Sequence, residues 1–339
     1  MSAAGLSGTS VPLVEAFDGA LVDLDGVAYR GPEAIPSAPG ALQGARDAGM
    51  RLVFVTNNAS REPGEVAAHL TALGIGTDPG EVLTAAQAVA RLVASQLDAS
   101  ARVLAIGGKG LVTALTEQGF DVVFSAADAP DAVVQGFDPD LSWRSLAEAA
   151  YAVRDGARYF ASNLDLTIPN ERGIAPGNGS LVQTVINATG VQPQAAGKPE
   201  PTMFHQAAHQ IGATRPLAIG DRLDTDLKGA RAAGMPGLLV FTGVSQPRDA
   251  ILAPADQRPA FIGADLTCLT EVHPEPVRDG EAWRVRDAVA RIDGGVLTVD
   301  GTDPWDKLRA ACACAWDAAD AGRVWDVGSI PNMGVISLV

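Results

Sequence analysis

The sequence is poor in the residues that mark metal–thiolate, disulfide-rich and membrane proteins. Its 339 residues include three cysteines and four histidines, and neither set has the spacing of a zinc site. Because the cysteines show no disulfide framework, we expect a reducing, cytoplasmic environment. The longest apolar runs are about 6–8 residues, far short of the roughly 20 that span a bilayer. No basic stretch followed by an apolar one stands near the N-terminus, so we expect neither membrane insertion nor a secretory signal.

Basic residues are also scarce. The sequence has 25 Lys and Arg against 40 Asp and Glu, which gives a net charge of −15. This balance argues against a nucleic-acid partner or an anionic membrane surface, because both need basic protein surface. The negative net charge does not exclude a small anionic substrate, since a local metal ion can outweigh the field of the whole protein.

What the sequence does contain is a regular alternation of short aliphatic runs and alanine-rich helical patterns. This alternation is typical of an α/β fold built on a parallel sheet. Strands are predicted at 20–24, 51–55, 102–106, 122–124, 133–136, 158–161, 216–219 and 237–241. Helices are predicted at 63–73, 110–118, 142–154, 180–189, 202–210 and 226–233, and from an N-cap at Thr84 to about 97.

The pattern changes after about residue 272. Residues 273–280 are polar and interpreted as a linker, 282–299 alternate like two short strands, and 305–321 are predicted to be a helix. A tail of this size is too small to hold a large core alone. It is therefore predicted to pack on the rest of the chain or to contribute to a homodimer, and packing is the preferred interpretation.

The strongest local pattern is an apolar strand that delivers Asp23 and Asp25 to its carboxyl end. Open α/β sheets place their sites at this edge, and strand alternation would point both carboxylates the same way. Two such carboxylates repel each other unless a cation or a shared proton holds them together. One could then act as nucleophile while the other transfers protons. Acids at strand ends also cap turns, so this pattern alone leaves both interpretations open.

Two further patterns supply groups suited to an anion. Thr56 and Asn57 follow the next apolar strand and offer a hydroxyl, an amide and backbone N–H groups to phosphate oxygens. Lys198 precedes a helix and could neutralise charge on a transferring phosphoryl group. Taken singly, each pattern favours a structural alternative: a turn that caps a helix for the first pair, and a solvated surface lysine for Lys198.

A fourth pattern is acidic. The strand at 216–219 is followed by a glycine and by Asp221, Asp224 and Asp226. Oxygen-rich clusters suit Mg²⁺, which usually binds one or two protein carboxylates and keeps several waters. Asp226 is also placed to cap the next helix, and the two roles are compatible.

Together, and in this order, the four patterns resemble the haloacid dehalogenase superfamily over residues 15–272. The GDRLDTD string at 220–226 and the APGNG loop at 175–179 resemble in particular the subgroup of NagD-like proteins and p-nitrophenyl phosphatases. The resemblance implies a doubly wound parallel sheet with an inserted α/β cap domain, to which this chain adds a small C-terminal extension. It also implies a phosphatase that works through an aspartyl-phosphate intermediate.

The resemblance assigns roles to the acidic residues. Asp23 would be the nucleophile, and Asp25 would protonate the leaving alkoxide and later activate water. Mg²⁺ would be held by the Asp23 carboxylate, the Asp25 backbone carbonyl and Asp221. Asp226 would lie nearby, joined through water or a hydrogen bond.

The resemblance also assigns the neutral and basic residues. Thr56 and Asn57 would bind phosphate oxygens, while Lys198 would hold the phosphate and orient Asp23. Metal and lysine would then offset the repulsion between an anionic nucleophile and an anionic substrate, and acid–base help from Asp25 would contribute roughly 10²–10⁴-fold.

Spacing locates the cap. About 30 residues separate Asp25 from Thr56, whereas about 140 separate Thr56 from Lys198 and hold an α/β series of their own. The cap is therefore inserted after the second pattern, where it would exclude water and select the substrate. The predicted ranges are 12–85 plus 195–272 for the core, 86–194 for the cap and 276–339 for the extension.

The resemblance places substrate-selecting residues in two cap loops. Acids at 138 and 140 would disfavour a strongly anionic substrate tail if they face the pocket, which is compatible with a polyol phosphate. A role in opening the following helix is an equal alternative. The candidate specificity residues are Phe137, Asp138, Asp140, Asn163, Asp165 and Asn178.

The preferred substrate is glycerol 3-phosphate, on the resemblance to actinobacterial members of the family with a similar C-terminal tail. The alternatives are 2-phosphoglycolate, a sugar phosphate or pyridoxal phosphate. Two non-enzymatic alternatives are a receiver-like signalling module and an inactive scaffold. The two-residue spacing of Asp23 and Asp25 and the large cap argue against the first. The presence of every motif residue argues against the second.

Overall fold

The computed structural model describes residues 5–170 and 172–333 of the chain. It contains two sheets of parallel strands, one antiparallel sheet and two short hairpins. Within these residues, none of the helices combines the length and the apolar character needed to cross a membrane. The α/β fold class expected from the sequence is confirmed.

The first sheet has six strands, and it places the acidic motifs next to each other. Strands β1 and β13 pair in parallel, with Leu21 opposite Ala218 and Val22 opposite Ile219. Their carboxyl ends therefore lie side by side, which is the edge where open α/β sheets hold their sites. In sheet order the strands are β15 (Phe261–Gly263), β14 (Gly237–Val240), β13 (Pro216–Gly220), β1 (Gly19–Asp23), β4 (Arg51–Thr56) and β5 (Val82–Thr84).

The second sheet has five parallel strands, and all of them lie in sequence between β5 and β13. An α/β layer is thus inserted into the chain that forms the first sheet. Strand β8 is buried along its whole length and β6 along all but its first residue, which is typical of a parallel sheet covered on both faces. In sheet order the strands are β12 (Gln194–Ala195), β9 (Arg158–Ala161), β8 (Ala132–Gln135), β6 (Arg102–Ile106) and β7 (Asp121–Val123).

The C-terminal part of the chain forms a four-stranded antiparallel sheet. Burial alternates along its third strand, so one face packs and the other is more exposed. Its strands are β16 (Val277–Asp279), β17 (Ala282–Val285), β18 (Ala288–Asp293) and β19 (Val296–Asp300). The hairpins are β2 (Tyr29–Arg30) with β3 (Glu33–Ala34), and β10 (Thr167–Asn170) with β11 (Gly173–Pro176).

Several helices start at caps that are visible in the sequence. The Thr84 hydroxyl accepts a bond from the Gln87 N–H at 3.2 Å, and Asp303 accepts from the N–H groups of Trp305 and Asp306 at 2.9 Å. The helices are α1 (Leu13–Ala16), α2 (Ala38–Asp47), α3 (Pro63–Ala72), α4 (Ala85–Ala94), α5 (Lys109–Glu117), α6 (Trp143–Arg154), α7 (Asn178–Thr189), α8 (Pro201–Gln210), α9 (Lys228–Ala232), α10 (Pro247–Ile251) and α11 (Pro304–Asp320).

The chain divides into two compact units, each with its own core. Among the described residues, the first comprises 5–54, 73–75 and 208–333, and the second comprises 55–72, 76–170 and 172–207. In the first unit Leu308 and Trp316 of α11 are buried in one cluster with Leu239 of β14. The C-terminal extension thus shares the core of the first unit, as expected for a tail too small to hold its own.

The second unit is centred on the faces of its parallel sheet, with Leu104 and Val133 packed against helices α6 and α7. Residues 55–72 and 195–207 belong to this unit, although the sequence placed them in the core domain. The predicted boundaries of core, cap and extension stay a prediction.

Most predicted elements are confirmed, and the strands at 102–106 and 158–161 have the predicted bounds. Two interpretations of the tail are wrong. It contains four strands instead of two, and the 273–280 segment is not a plain linker, because it holds β16 and the buried His273. Strands of three or four residues carry too little alternation to be recognised singly.

Candidate active site

Three carboxylates meet at the carboxyl edge of the first sheet. One oxygen each from Asp23, Asp221 and Asp226 lies within 4.8 Å of the other two. Asp23 ends β1 and is half-buried, whereas Asp221 and Asp226, which follow β13, are buried. Asp25 is exposed, and its carboxylate is not part of this group among the residues that the structure describes.

The local backbone explains how Asp226 reaches the group. Residues Leu223–Leu227 form a π-helical turn, in which the Leu227 N–H donates to the Arg222 carbonyl at 3.2 Å. Such wide turns are rare and frequent at functional sites. The Asp226 carboxylate accepts a bond from the Arg222 N–H at 3.1 Å, at the start of this turn. The expected cap on the next helix is wrong, because Asp226 lies within the turn and α9 follows Leu227 without a side-chain cap.

Asp224, the third acid of the string, has a different role. It forms an ion pair with the Arg222 guanidinium, with the two groups 2.8 Å apart, and its side chain is mostly exposed. Burial alone would raise the pKa of Asp224, but the hydrogen bond and charge of Arg222 outweigh this and lower the pKa. Asp224 therefore pairs with the charge of Arg222 and lies outside the group formed by Asp23, Asp221 and Asp226.

The backbone around Asp221 leaves room only for glycine. A Cβ on Gly243 would lie 1.9 Å from Asp221 Oδ2, and one on Gly26 would lie 2.6 Å from the same atom. Gly26 also has a positive φ of 85°, which other residues rarely adopt. The backbone at Gly26 and at Gly243 lies close to the Asp221 carboxylate and restricts its position.

These residues fit a hard divalent cation. An octahedral Mg²⁺ holds its oxygen ligands at about 2.1 Å, so ligand oxygens lie roughly 3 or 4.2 Å apart. The three carboxylate oxygens are within 4.8 Å of one another and need only small movements to meet that geometry. Three like charges at this distance repel each other, and a bound cation removes that repulsion.

The second compact unit holds another set of predicted residues. Thr56, the last residue of β4, is buried, and its hydroxyl accepts a bond from the Asn58 N–H at 3.1 Å. The Asn57 amide is bonded to Lys198 and Asp165: its Nδ2 donates to the Lys198 carbonyl and to Asp165 Oδ2, both at 2.9 Å. Its Oδ1 accepts from the Lys198 N–H at 2.8 Å.

Lys198 is therefore not the ordinary surface lysine that was the alternative from sequence. It is buried, with 5% of its surface exposed. The preceding glycine, Gly197, donates to the Ser162 carbonyl at 2.7 Å, and a Cβ there would lie 2.7 Å from Asn57 Oδ1. Asn57 and Gly197 together fix the backbone that carries this lysine.

Two of the predicted specificity residues have their amides turned to the backbone. Asn163 donates to the Asn57 carbonyl at 2.8 Å, and Asn178 donates to the Asn163 carbonyl at 2.8 Å. Both are buried. They form a chain of amide contacts that ends at Asn57, so their side chains hold this segment in place.

The remaining predicted cap residues are more accessible. Asp165 is half-buried, and its carboxylate accepts the bond from Asn57 described above. Phe137 and Asp138 are half-buried, and Asp140 is exposed. Asp138 Oδ1 accepts a bond from the Asp140 N–H at 2.8 Å, which is a turn ahead of the helix capped by Ser142. The helix itself is capped by the Ser142 hydroxyl, so this turn precedes the cap, and the substrate-selecting role of Asp138 and Asp140 stays a prediction.

The sequence interpretation missed one segment at the acidic group. Residues Thr242–Ser245 follow β14, and the Val244 N–H donates to Asp221 Oδ2 at 2.5 Å. The segment could have been found from its Thr-Gly pair, which directly follows a predicted strand at the sheet edge where sites form.

Comparison with known proteins identifies the family of the chain. A sequence model of the family described as haloacid dehalogenase-like hydrolase matches residues 20–121, and a second, HAD-hydrolase-like, matches 195–269. The D-glycerol 3-phosphate phosphatase of Mycobacterium tuberculosis is 40% identical over 325 residues, which cover 91% of this chain and 88% of that protein. The 5'-nucleotidase YutF of Bacillus subtilis is 39% identical over 235 residues, 69% of this chain and 90% of YutF.

Solved structures extend the comparison to the fold. A crystal structure of the M. tuberculosis glycerol phosphate phosphatase in complex with magnesium superposes with a TM-score of 0.84 at 40% identity, covering 90% of this chain and 92% of that chain. A double mutant of a thermostable NPPase from Geobacillus stearothermophilus gives a TM-score of 0.68 at 35% identity, covering 74% of this chain and 97% of that chain.

Proposed function

Because the chain belongs to the haloacid dehalogenase-like hydrolase family, we propose that it is a magnesium-dependent phosphatase of a small phosphomonoester, with glycerol 3-phosphate as its substrate. The observation that carries the proposal is the group of three carboxylates, Asp23, Asp221 and Asp226, at the carboxyl edge of a parallel sheet. An acidic group at this edge suits a cation that binds a phosphate ester.

Asp23 is the proposed nucleophile. Its carboxylate oxygen attacks phosphorus, the bond between phosphorus and the alcohol oxygen breaks, and the phosphoryl group is transferred to Asp23. Asp25 is exposed at the strand end and donates the proton that the leaving alkoxide takes up. Asp25 then accepts a proton from water as that water attacks phosphorus, which releases phosphate and restores the Asp23 carboxylate.

Asp23 and Asp221, with the backbone carbonyl of Asp25, are the proposed magnesium ligands, and Asp226 supports them. Bound magnesium supplies positive charge that offsets the repulsion between the carboxylates and the phosphate ester. The close backbone at Gly26 and Gly243 keeps Asp221 in place for this role.

Thr56, Asn57 and Lys198 are the proposed phosphate-binding residues. Since both edges of the Asn57 amide bind protein partners, we assign its phosphate contact to the backbone N–H and its side chain to the positioning of Lys198. The lysine supplies the positive charge.

Two observations favour glycerol 3-phosphate among the small esters. The M. tuberculosis relative matches 91% of this chain, so the match must enter the C-terminal extension, whereas YutF matches 69%. Acids at 138 and 140 disfavour an anionic substrate tail such as that of 2-phosphoglycolate. The proposed specificity residues are Phe137, Asp138, Asp140, Asn163, Asp165 and Asn178. Nucleotides and sugar phosphates, the substrates named for other relatives, are the competing candidates.

A cytoplasmic location and a homodimer also remain proposals. The three cysteines are buried and unpaired, which suits a reducing compartment. The mass of the protein in solution, measured by light scattering, would decide between a monomer and a dimer.

The test is phosphate release from a panel of small phosphomonoesters, with and without Mg²⁺. The proposal predicts Mg²⁺-dependent release with glycerol 3-phosphate preferred, and its loss in Asp23→Asn. Asp224→Asn is the matched control, because Asp224 lies in the same acidic string but pairs with Arg222. Release that survives both chelation and Asp23→Asn would contradict the mechanism, and a preference for another ester would contradict the substrate alone.

A further inference from the structure

The loop after β14, residues Thr242–Ser245, contacts both acid-bearing loops of the first compact unit. We propose that this β14 loop positions the magnesium-binding acids and that Trp305, in the C-terminal extension, holds the loop in place through Phe241. The inference rests on the magnesium site of the proposed function and adds the residues that shape it.

The first contact is made by Thr242. Its buried hydroxyl donates to the Gly26 carbonyl at 2.5 Å, within the loop that follows Asp23. The Thr242 carbonyl in turn accepts a bond from the Arg30 guanidinium of β2. Thr242 thereby joins the loop that carries Asp23 and Asp25 to the end of β14.

The other contacts are made to Asp221. The Val244 N–H donates to its carboxylate, and the Ser245 N–H donates to its backbone carbonyl at 3.1 Å. The Ser245 hydroxyl accepts a bond from the Leu223 N–H at 3.2 Å, at the start of the π-helical turn. One short loop therefore fixes the carboxylate, the backbone and the following turn of Asp221.

The loop is itself supported by the C-terminal extension. Phe241, immediately before it, is fully buried, and its ring centroid lies 5.6 Å from that of Trp305 with a 35° angle between the planes. Aromatic pairs at this distance add stabilisation beyond their buried area. Trp305 lies in the first turn of α11.

Helix α11, which carries Trp305, is itself hydrogen-bonded to neighbouring elements of the first unit. Arg309 donates to the Ile262 carbonyl of β15 at 2.7 Å, and the Trp316 indole donates to the Ala250 carbonyl of α10 at 3.0 Å. Near the helix end, Asp320 pairs with the Arg258 guanidinium at 2.7 Å. The extension is thus bonded to two elements of the unit that holds the acids.

The alternative is that Trp305 and Thr242 only add stability. Magnesium affinity separates the two explanations, because a loss of stability alone leaves the folded site unchanged. Titration of the folded protein with Mg²⁺ by isothermal calorimetry measures this directly, with circular dichroism to confirm folding.

Thr242→Val removes the hydroxyl donor and keeps the shape. We expect its Mg²⁺ dissociation constant to rise roughly fivefold, the effect of one lost hydrogen bond, and Thr242→Ser to stay within about twofold of wild type. With p-nitrophenyl phosphate, saturating Mg²⁺ should restore kcat of Thr242→Val with KM unchanged. Mg²⁺ binding by Thr242→Val that equals wild type would overturn the inference.

Trp305→Ala should weaken Mg²⁺ binding, and Trp305→Phe should retain it. The control is Asp320→Asn, which weakens the same helix far from Phe241 and should leave Mg²⁺ affinity unchanged even where the melting temperature falls. Equal weakening in Trp305→Ala and Asp320→Asn would overturn the role of Trp305. A wild-type protein that binds no Mg²⁺ would overturn the proposed function itself, and this inference with it.

Discussion

The side-chain amide of Asn57 is bonded on both edges to the backbone of Lys198. Its Oδ1 accepts the Lys198 N–H at 2.8 Å, and its Nδ2 donates to the Lys198 carbonyl at 2.9 Å. This pair of bonds joins residues 141 positions apart in sequence and fixes the backbone of a buried lysine. Asn57 is thus first of all a residue that positions Lys198.

Asn57→Ala should lower kcat strongly, because the lysine backbone loses both of these bonds. If Asn57 acts through Lys198, the double variant Asn57→Ala, Lys198→Ala should be no slower than Lys198→Ala alone. Steady-state kinetics of the single and double variants check this. Asn187→Ala is the control, since the Asn187 amide oxygen accepts a bond from Gln183 at 2.8 Å on the exposed surface of α7. Fully additive losses would show that Asn57 contributes separately from the lysine.

Gly243→Ala should abolish most of the activity while the protein still folds. The added Cβ would lie 1.9 Å from Asp221 Oδ2, so the carboxylate must move. Gly44→Ala on α2 is the matched control, because a Cβ there meets nothing within 4 Å. Assays of phosphate release and Mg²⁺ titrations compare the two variants, and an active Gly243→Ala protein would show that Asp221 need not stay in this position.

His273 should make stability depend on pH below neutrality. Burial, together with the nearby charges of Arg309 and Arg286, lowers the pKa of His273 from its ordinary value of 6.5 to about 4, although its bond to the Cys268 carbonyl partly opposes this. Between these values the unfolded chain binds a proton that the folded protein does not. Stability conferred by neutral His273 is therefore full above pH 6.5 and is lost as pH falls toward 4.

Urea unfolding at a series of pH values tests this expectation. Between pH 7 and 5.5 the wild-type protein should lose on the order of 1 kcal/mol more than His273→Gln. His205→Gln, at an exposed position on α8, should follow the wild-type curve. Parallel curves for wild type and His273→Gln would contradict the assignment.

Asp306 should be important for the docking of the C-terminal extension. It is 1% exposed and binds Arg309 at 2.8 Å and Arg286 at 3.1 Å. Asp306→Asn leaves Arg309 buried without its anionic partner, which typically costs about 3 kcal/mol or more. Chemical denaturation measures the loss. Asp300→Asn breaks an exposed pair with Arg291 and should cost less than about 1 kcal/mol, so equal losses would contradict the prediction.

Much of the fold could be predicted because its signals are local. The strand at 102–106 is apolar after its first residue, and the helix after Thr84 begins with a capping box that the sequence displays. The β2–β3 hairpin has strands of two residues, which no periodicity can indicate. The number of strands in the tail was underestimated for a related reason, since β16 and β17 have three and four residues and only their pairing distinguishes them.

The residues of the candidate site could be predicted from the sequence, but the hydrogen bonds that position them could not. Asp23, Asp221 and Asp226 stand in motifs, and the pairing of β1 with β13 follows from a parallel sheet. The contacts of Thr242 with Gly26, and of Asn57 with Lys198, join segments more than a hundred residues apart. No local sequence pattern indicates such contacts, because they form only when segments distant in sequence come together in the folded protein.

The most direct test of the account is to look for phosphate on Asp23. The enzyme is mixed with glycerol 3-phosphate and Mg²⁺, quenched with acid within the first turnover, digested and analysed by mass spectrometry. We expect one added phosphoryl group on the peptide that contains Asp23, absent without Mg²⁺ and absent in Asp23→Asn. Rapid turnover with no phosphoryl group on that peptide, or with the group on another residue, would contradict it.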